Sequence, residues 1–173
     1  MGLDNALHNA VDERKAQYPE SVARSEKLFN FYSDLSLWDT FRSLHPFILL
    51  TDEPLAIGIL RSMAEMTDQQ QAFPKWVLAN IDINCMVGLH GGALVVEAAH
   101  SGLAKEFDLL TMQKMLLNQA TQPWPKNQRT DLDHYLSEGY VSDETSDKSA
   151  PLTLTYAYDD SVLASLSLLV NDT

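Results

Sequence analysis

Apolar residues recur at spacings of three and four along most of this chain, and nowhere does an alternation of period two persist. Side chains at those spacings share one face of an α-helix, whereas a strand puts every second residue on a face. The pattern predicts an all-α protein. Leu37, Phe41, Leu44 and Ile48 make one row. Leu55, Ile59, Met63 and Met66 make the next, behind Asp52 as a cap and Pro54 in a first turn, where a missing N–H is tolerated. Gln69 to Ile83 lacks a period, holds Pro74 and reads as a long connection, a feature that in compact domains tends to be functional. A helix is expected from about Cys85 to Ala99, closed at Ser101-Gly102. Another carries Leu109, Met112 and Leu116 after Asp108 and ends before Pro123 and Pro125. A short helix spans Asp131 to Glu138 and stops at Gly139, and Val141 to Ala150 reads as a solvated acidic loop. Ser149 and Pro151 open a last helix with Leu154, Tyr158, Val162, Leu166 and Leu169 in a row. The total is about six helices with long loops between some of them.

The 173 residues suffice for one domain with a hydrophobic core. Lys and Arg number 12 against 24 Asp and Glu, a formal charge of −12. Such a surface argues against nucleic acid or an anionic membrane as partner and is silent on a neutral ligand such as a sugar. A single cysteine, Cys85, rules out a disulfide within the chain and reads as a buried thiol rather than a nucleophile. No signal peptide or transmembrane run is visible, so a soluble protein is expected, cytoplasmic or, for a longer parent, secreted.

Candidate site residues concentrate in a few strings. Trp38, Asp39 and Arg42 are close in helical space, beside the apolar row rather than within it. An aromatic ring can stack on sugar C–H bonds while a carboxylate and a guanidinium bind vicinal hydroxyls; a core Trp with a surface Asp–Arg pair is the plainer alternative. Asp159 and Asp160 could serve as a general base or as metal ligands, although adjacent helical residues face about 100° apart. His90 and His100 lack zinc-site spacing, and Gly88, Gly91 and Gly92 precede no Lys-Ser/Thr and read as close helix packing rather than a phosphate loop.

Tyr32-Ser-Asp-Leu-Ser-Leu-Trp-Asp-Thr-Phe-Arg42, followed by Ser43-Leu44-His45-Pro46, resembles the signature of glycoside hydrolase family 92. Three further stretches match that family in the same order. They are Phe73-Pro-Lys-Trp76 with Leu78-Ala-Asn80; Asn84-Cys-Met-Val-Gly88 with His90; and Gly139-Tyr-Val141 with Thr153-Leu154 and Tyr156-Ala-Tyr-Asp-Asp160. The resemblance implies a calcium-dependent, inverting exo-α-mannosidase acting on α-linked mannosides such as high-mannose N-glycans. It implies an (α/α)6 toroid of helical hairpins, of which this chain would be an incomplete part, since about twelve helices need roughly 190 residues. Residues 31–173 would belong to that toroid and residues 1–30 to an N-terminal helical segment outside the motifs. The resemblance assigns Trp38 and Asp39 to the terminal mannose, and places Arg42, Lys75, Trp76, His90, Asp159 and Asp160 as candidate pocket residues.

Inverting hydrolysis requires a general acid and a general base. The family's glutamate-glycine-asparagine and glycine-asparagine-acidic-aspartate motifs do not occur in these 173 residues, and Val170-Asn-Asp-Thr173 is not a version of them. Leu89 stands where the family commonly has aspartate, Thr155 where it has glutamate and Ser161 where it has tryptophan. The expectation is therefore a fragment of a mannosidase that contributes part of the mannose pocket and has no catalytic residue of its own. Calcium is expected for the complete family enzyme, and its ligands are not identifiable in this chain. Uncovered helix faces are expected to promote self-association. A non-catalytic helical domain with weak sugar binding is the alternative.

Overall fold

Pro46 decides how the first helical row folds. Its ring would clash with the carbonyl of Arg42 in a continuous helix, and it has no N–H to offer. The row therefore breaks into α1 (Leu37–Thr40) and α2 (Leu44–Thr51), separated by a turn at Ser43 with φ −144° and ψ −45°. The expected single row is corrected accordingly: Leu37 and Phe41 are buried, whereas Leu44 is exposed. This computed structural model describes residues 30–79, 81–123 and 129–171. The expected N-terminal helical segment lies outside them except for Asn30, as do Asn80 and Pro125.

Asp52 caps α3 (Glu53–Gln70), accepting the Leu55 N–H at 3.1 Å, with Pro54 in the first turn. Its apolar face, Ile59, Leu60 and Met63, is buried. The helix stops at Gln71 in the left-handed region, and the connection behind it is not structureless. It contains a minimal antiparallel hairpin, β1 (Val77–Leu78) with β2 (Ile81–Asp82). Two-residue strands are too short to show an alternation in sequence, so the hairpin was illegible there. Gln119 anchors the connection: its side-chain amide accepts the Phe73 N–H at 2.9 Å and donates to the Phe73 carbonyl at 3.1 Å, both buried.

Helix α4 (Gly91–Ala98) begins later than expected, because Asn84 and Met86 adopt positive φ and keep the preceding residues out of the helix. A π-turn over Ala99–Leu103, with Gly102 at φ 89°, and a 3-10 turn over Ala104–Glu106 close it. Asp108 caps α5 (Leu109–Thr121), accepting the N–H groups of Leu110 and Thr111. Then follow α6 (Leu132–Glu138), ended by Gly139 at φ 82°, and α7 (Ser149–Asn171). Seven α-helices thus stand among the described residues.

Helix α7 lies along α5 and α4, and Leu94, Val95, Met112, Leu116, Val162 and Leu166 fill the space between them. Gly92 allows this approach: a Cβ there would stand 2.7 Å from Leu116 Cδ2 and 3.3 Å from Val162 Cγ1. Tyr135, Val141, Leu152 and Tyr156 form a second, smaller core, so Val141 is not part of a solvated loop. The buried face of α7 is Leu152, Tyr156, Asp159, Val162 and Leu166. The expected row is right only in its second half, since Leu154 is 72% exposed and Tyr158 is exposed. Apolar residues surround the first half of this helix, so periodicity alone could not choose a face.

These burials separate two substitutions on one helix. Leu166→Ala is expected to cost about 2–5 kcal/mol of stability, because it leaves a cavity. Leu154→Ala is expected to change stability by less than about 0.5 kcal/mol. Urea unfolding of both variants checks the assignment of the face.

Candidate functional site

The Trp38 motif and the Lys75-Trp76 motif are far apart in sequence and adjacent in the fold. Val77 N–H donates to the Leu35 carbonyl at 3.0 Å, and Ser36 pairs with Trp76 in an antiparallel bridge. Side chains reinforce the seam. Asp34 accepts the Ala79 N–H at 2.6 Å, and the Ser33 hydroxyl donates to the Ala79 carbonyl. Ala79 has φ 56°, a conformation that costs an L-residue about 1–2 kcal/mol, so these two contacts hold a strained hairpin turn in place. Asp82 then shapes the wall itself. Its carboxylate accepts the backbone N–H groups of Lys75 at 2.9 Å, Trp76 at 3.1 Å and Asn84 at 2.9 Å. Trp38 is 37% exposed and Asp39 is exposed, beside this seam.

Behind the wall, residues of three motifs meet. Phe41 stacks on His90 with ring centroids 4.0 Å apart and planes 6° from parallel. The Arg42 guanidinium lies 4.6 Å from the Phe41 centroid, and Tyr158 stands 5.6 Å from Phe41 and 6.1 Å from His90. Arg42 lies in the turn after α1, so its expected helical spacing to Trp38 does not apply, although it remains within the same cluster of motifs. Gly88, at φ 89°, makes room for the imidazole: a Cβ there would fall 2.5 Å from His90 Nε2 and 2.9 Å from Thr155 Cγ2.

Asp159 and Asp160 do converge, which corrects the expectation from their 100° separation. A single guanidinium nitrogen of Arg129 reaches both carboxyl groups. Arg129 Nη2 lies 2.8 Å from Asp160 Oδ1 and 3.7 Å from Asp159 Oδ2. Asp160 also accepts the Tyr135 hydroxyl at 2.8 Å, and Asp159 Oδ1 accepts the Leu89 N–H at 3.1 Å. Arg129 packs over Tyr156, with 4.7 Å from Cζ to the ring centroid. Sequence reasoning missed Arg129, Asp82 and Asp34. The only signal for Arg129 was indirect: a carboxylate pair on an otherwise apolar helix needs a cation.

Burial governs the protonation states. It lowers the His90 pKa to about 4, helped by the Arg42 and Lys75 charges. It raises Asp159 to about 7, against the Leu89 N–H and Arg129, which favour the ionised form. Lys75 is lowered by burial, opposed by Asp82 and Asp159. Burial and the Asp160 contact push Tyr135 up to about 12. The His90–Asp159 approach of 3.9 Å is too long for a hydrogen bond, and both groups are neutral near pH 5.

Among the described residues no three His, Cys, Asp or Glu side chains are grouped to hold a metal ion. The Asp159–Asp160 pair faces a guanidinium instead, so these residues do not fit a calcium site. The three positions that the resemblance marks as departures are placed as follows. Leu89 is buried in the core, Thr155 packs toward Gly88, and the Ser161 hydroxyl donates to the Tyr158 carbonyl at 2.6 Å. Among the described residues no helix is long and apolar enough to cross a membrane.

The model of the glycosyl hydrolase family 92 catalytic domain matches residues 3–173. Solved structures agree. A family GH92 alpha-mannosidase from Bacteroides thetaiotaomicron in complex with mannoimidazole aligns at 28% identity and TM-score 0.72, covering 83% of this chain and 18% of that one. A second structure of the same mannosidase aligns at 27% identity and TM-score 0.73, covering 83% and 19%. A family GH92 inverting mannosidase from the same organism aligns at 23% identity and TM-score 0.75, covering 83% and 20%, and shares the fold. The chain therefore spans about a fifth of the length of these solved relatives. No curated protein matches it.

The opposed shifts of His90 and Asp159 make a pH test. Asp159 binds its proton more tightly folded than unfolded, so its contribution to stability is lost as pH rises from about 4 through about 7. His90 binds its proton less tightly folded, so its contribution is lost as pH falls from about 6.5 through about 4. Between pH 4.5 and 6 the two slopes, each about 1.4 kcal/mol per pH unit, are expected to cancel. Relative to the parent profile, His90→Phe should tilt stability downward with rising pH in this window and Asp159→Asn upward, with the lowered His45 pKa adding the same rising slope to every profile. Denaturant midpoints at pH 4.5, 5.2 and 6 decide it; parallel profiles for the two variants would sink the assignment.

Proposed function

The chain belongs to glycoside hydrolase family 92, and from that premise we propose that its first two motifs form one wall of the pocket for the terminal mannose of an α-linked mannoside. Trp38 supplies a ring for stacking on sugar C–H bonds, and Asp39 a carboxylate for adjacent hydroxyls. Arg42, Lys75 and Trp76 border them, while His90, Asp159 and Asp160 stand behind and fix the wall in position. The observation that carries this reading is the backbone seam between Leu35-Ser36 and Trp76-Val77, which sets two sequence-distant motifs edge to edge. A relative solved with mannoimidazole supports a mannose-like ring as the ligand class. High-mannose N-glycans are the proposed natural source of that mannose, with calcium serving in the complete enzyme.

Inverting hydrolysis needs an acid and a base about 6.5–9.5 Å apart, flanking one bond. Asp160 is paired with Arg129 and Tyr135, and Asp159 is sealed beside them, so neither is assigned as the acid or the base. These residues hold a sugar without breaking its glycosidic bond. Exposed Phe47, Leu50, Leu154 and Leu168 make self-association part of the same proposal.

The purified 173-residue chain is expected to release no nitrophenol from para-nitrophenyl α-mannoside; measured turnover would overturn the assignment of roles. Tryptophan fluorescence should report binding of methyl α-mannoside. Trp38→Phe and Asp39→Asn should each weaken that binding about tenfold, equivalent to about 1.4 kcal/mol. Sedimentation velocity should show a concentration-dependent rise above the monomer value, and a constant monomer would remove self-association from the proposal.

A further inference from the structure

A small recess of about 50 Å³ adjoins the wall, bordered by Lys75, Met86, Gly88, Arg129, Tyr156 and Asp159. Its polar groups are only partly answered. Arg129 and Asp159 are each 3% exposed. Arg129 uses Nη1 and Nη2 on the Ala120 carbonyl, the Tyr156 carbonyl and Asp160, but its Nε–H has no hydrogen-bond partner. Asp159 Oδ1 takes the Leu89 N–H, but Oδ2 accepts no hydrogen bond. Buried polar atoms of native proteins are nearly always paired with protein, water or ligand, so two orphans beside one recess point to a guest.

The chemistry of the orphans selects that guest. A cation would meet Arg129 and Lys75. An anion would meet Asp159, with Asp160 held on the same guanidinium nitrogen. A neutral hydroxyl suits both orphans, since it donates one O–H and accepts through two lone pairs. Size narrows the choice further. The recess is sized for a small guest of a few water-sized groups, such as a two-carbon diol.

We propose that this recess is a hydroxyl-binding site for the diol end of a small neutral polyol, with Asp159 Oδ2 accepting from one hydroxyl and Arg129 Nε–H donating to the other. Water molecules offer the same hydroxyl chemistry, and the polyol displaces them. The assignment does not rest on the mannoside reading, because the recess selects a diol whichever sugar the outer wall takes.

Glycerol is the probe, titrated into the full chain and followed by ¹H–¹⁵N NMR. The Leu89 amide reports on Asp159, and the Arg129 Nε–H reports on itself. Saturable shifts of both signals are expected, with sodium chloride at equal concentration producing neither. Asp159→Asn can present an amide N–H where Oδ2 accepts, and should weaken glycerol binding at least tenfold. Strictly linear shifts up to molar glycerol would overturn the proposal, as would chloride moving the same two signals. A high-resolution structure grown in glycerol supplies a second readout. A diol seated on Asp159 and Arg129 supports the site, and ordered waters that stay in place under glycerol overturn it.

Discussion

A carboxyl group enclosed in a helical bundle has to be met by donors, and Asp159 is the point on which the described structure turns. It sits in the middle of the buried face of α7, where an apolar residue would satisfy packing alone. Through Oδ1 it holds the Leu89 N–H, and thereby the irregular approach to α4. On its other side stands Arg129, whose hydrogen bonds reach the end of α5, the backbone of α7 and Asp160. Asp160 passes the connection to α6 through the Tyr135 hydroxyl. Arg129 is thus the shared partner of both carboxyl groups, and it stays paired with Asp160 at 2.8 Å on the more exposed side of the cluster. Two residues of the smaller core, Tyr135 and Tyr156, pack against the Arg129 guanidinium.

Helix existence was legible from apolar spacing, and so were the ends marked by local chemistry. Asp52, Asp108, Gly102 and Gly139 act as their residue types predict, because a cap needs only its own few neighbours. What escaped was whatever depends on distant partners. The face of α7 was misjudged at Leu154, since its sequence offers two apolar stripes and only the packing of α4 and α5 chooses between them. Pro46 carried enough information to split the first row, as its ring forbids the carbonyl geometry of an unbroken helix. The motifs come together in the fold, but the residues that hold them there, Asp34, Asp82 and Arg129, make side-chain contacts to backbone or across the fold. Such contacts leave no periodic trace in a sequence.

The site has two layers with different physical tasks. The outer layer, Trp38 and Asp39 beside Lys75 and Trp76, owes its position to backbone pairing and to Asp82, so its side chains need not be buried to be oriented. The inner layer, His90 on Phe41 with Asp159 and Arg129, is closed off from water and titrates accordingly. The ionisable groups of the inner layer are thereby kept from solvent, while Trp38 and Asp39 remain exposed.

Position 89 is one that the resemblance marks as a departure, and it lies against both layers. Leu89 borders the recess and is buried, and its backbone already donates to Asp159. An aspartate at that position would bring a third carboxyl into a cluster served by one guanidinium that Asp160 already engages. Burial raises the pKa of Asp159 even with Arg129 nearby, so a further acid would either stay protonated or require a cation to balance it. Leucine removes that demand. It leaves the unpaired Asp159 Oδ2 and Arg129 Nε–H to the hydroxyl proposed above, and a metal ion would gain too few ligands there to replace its hydration shell.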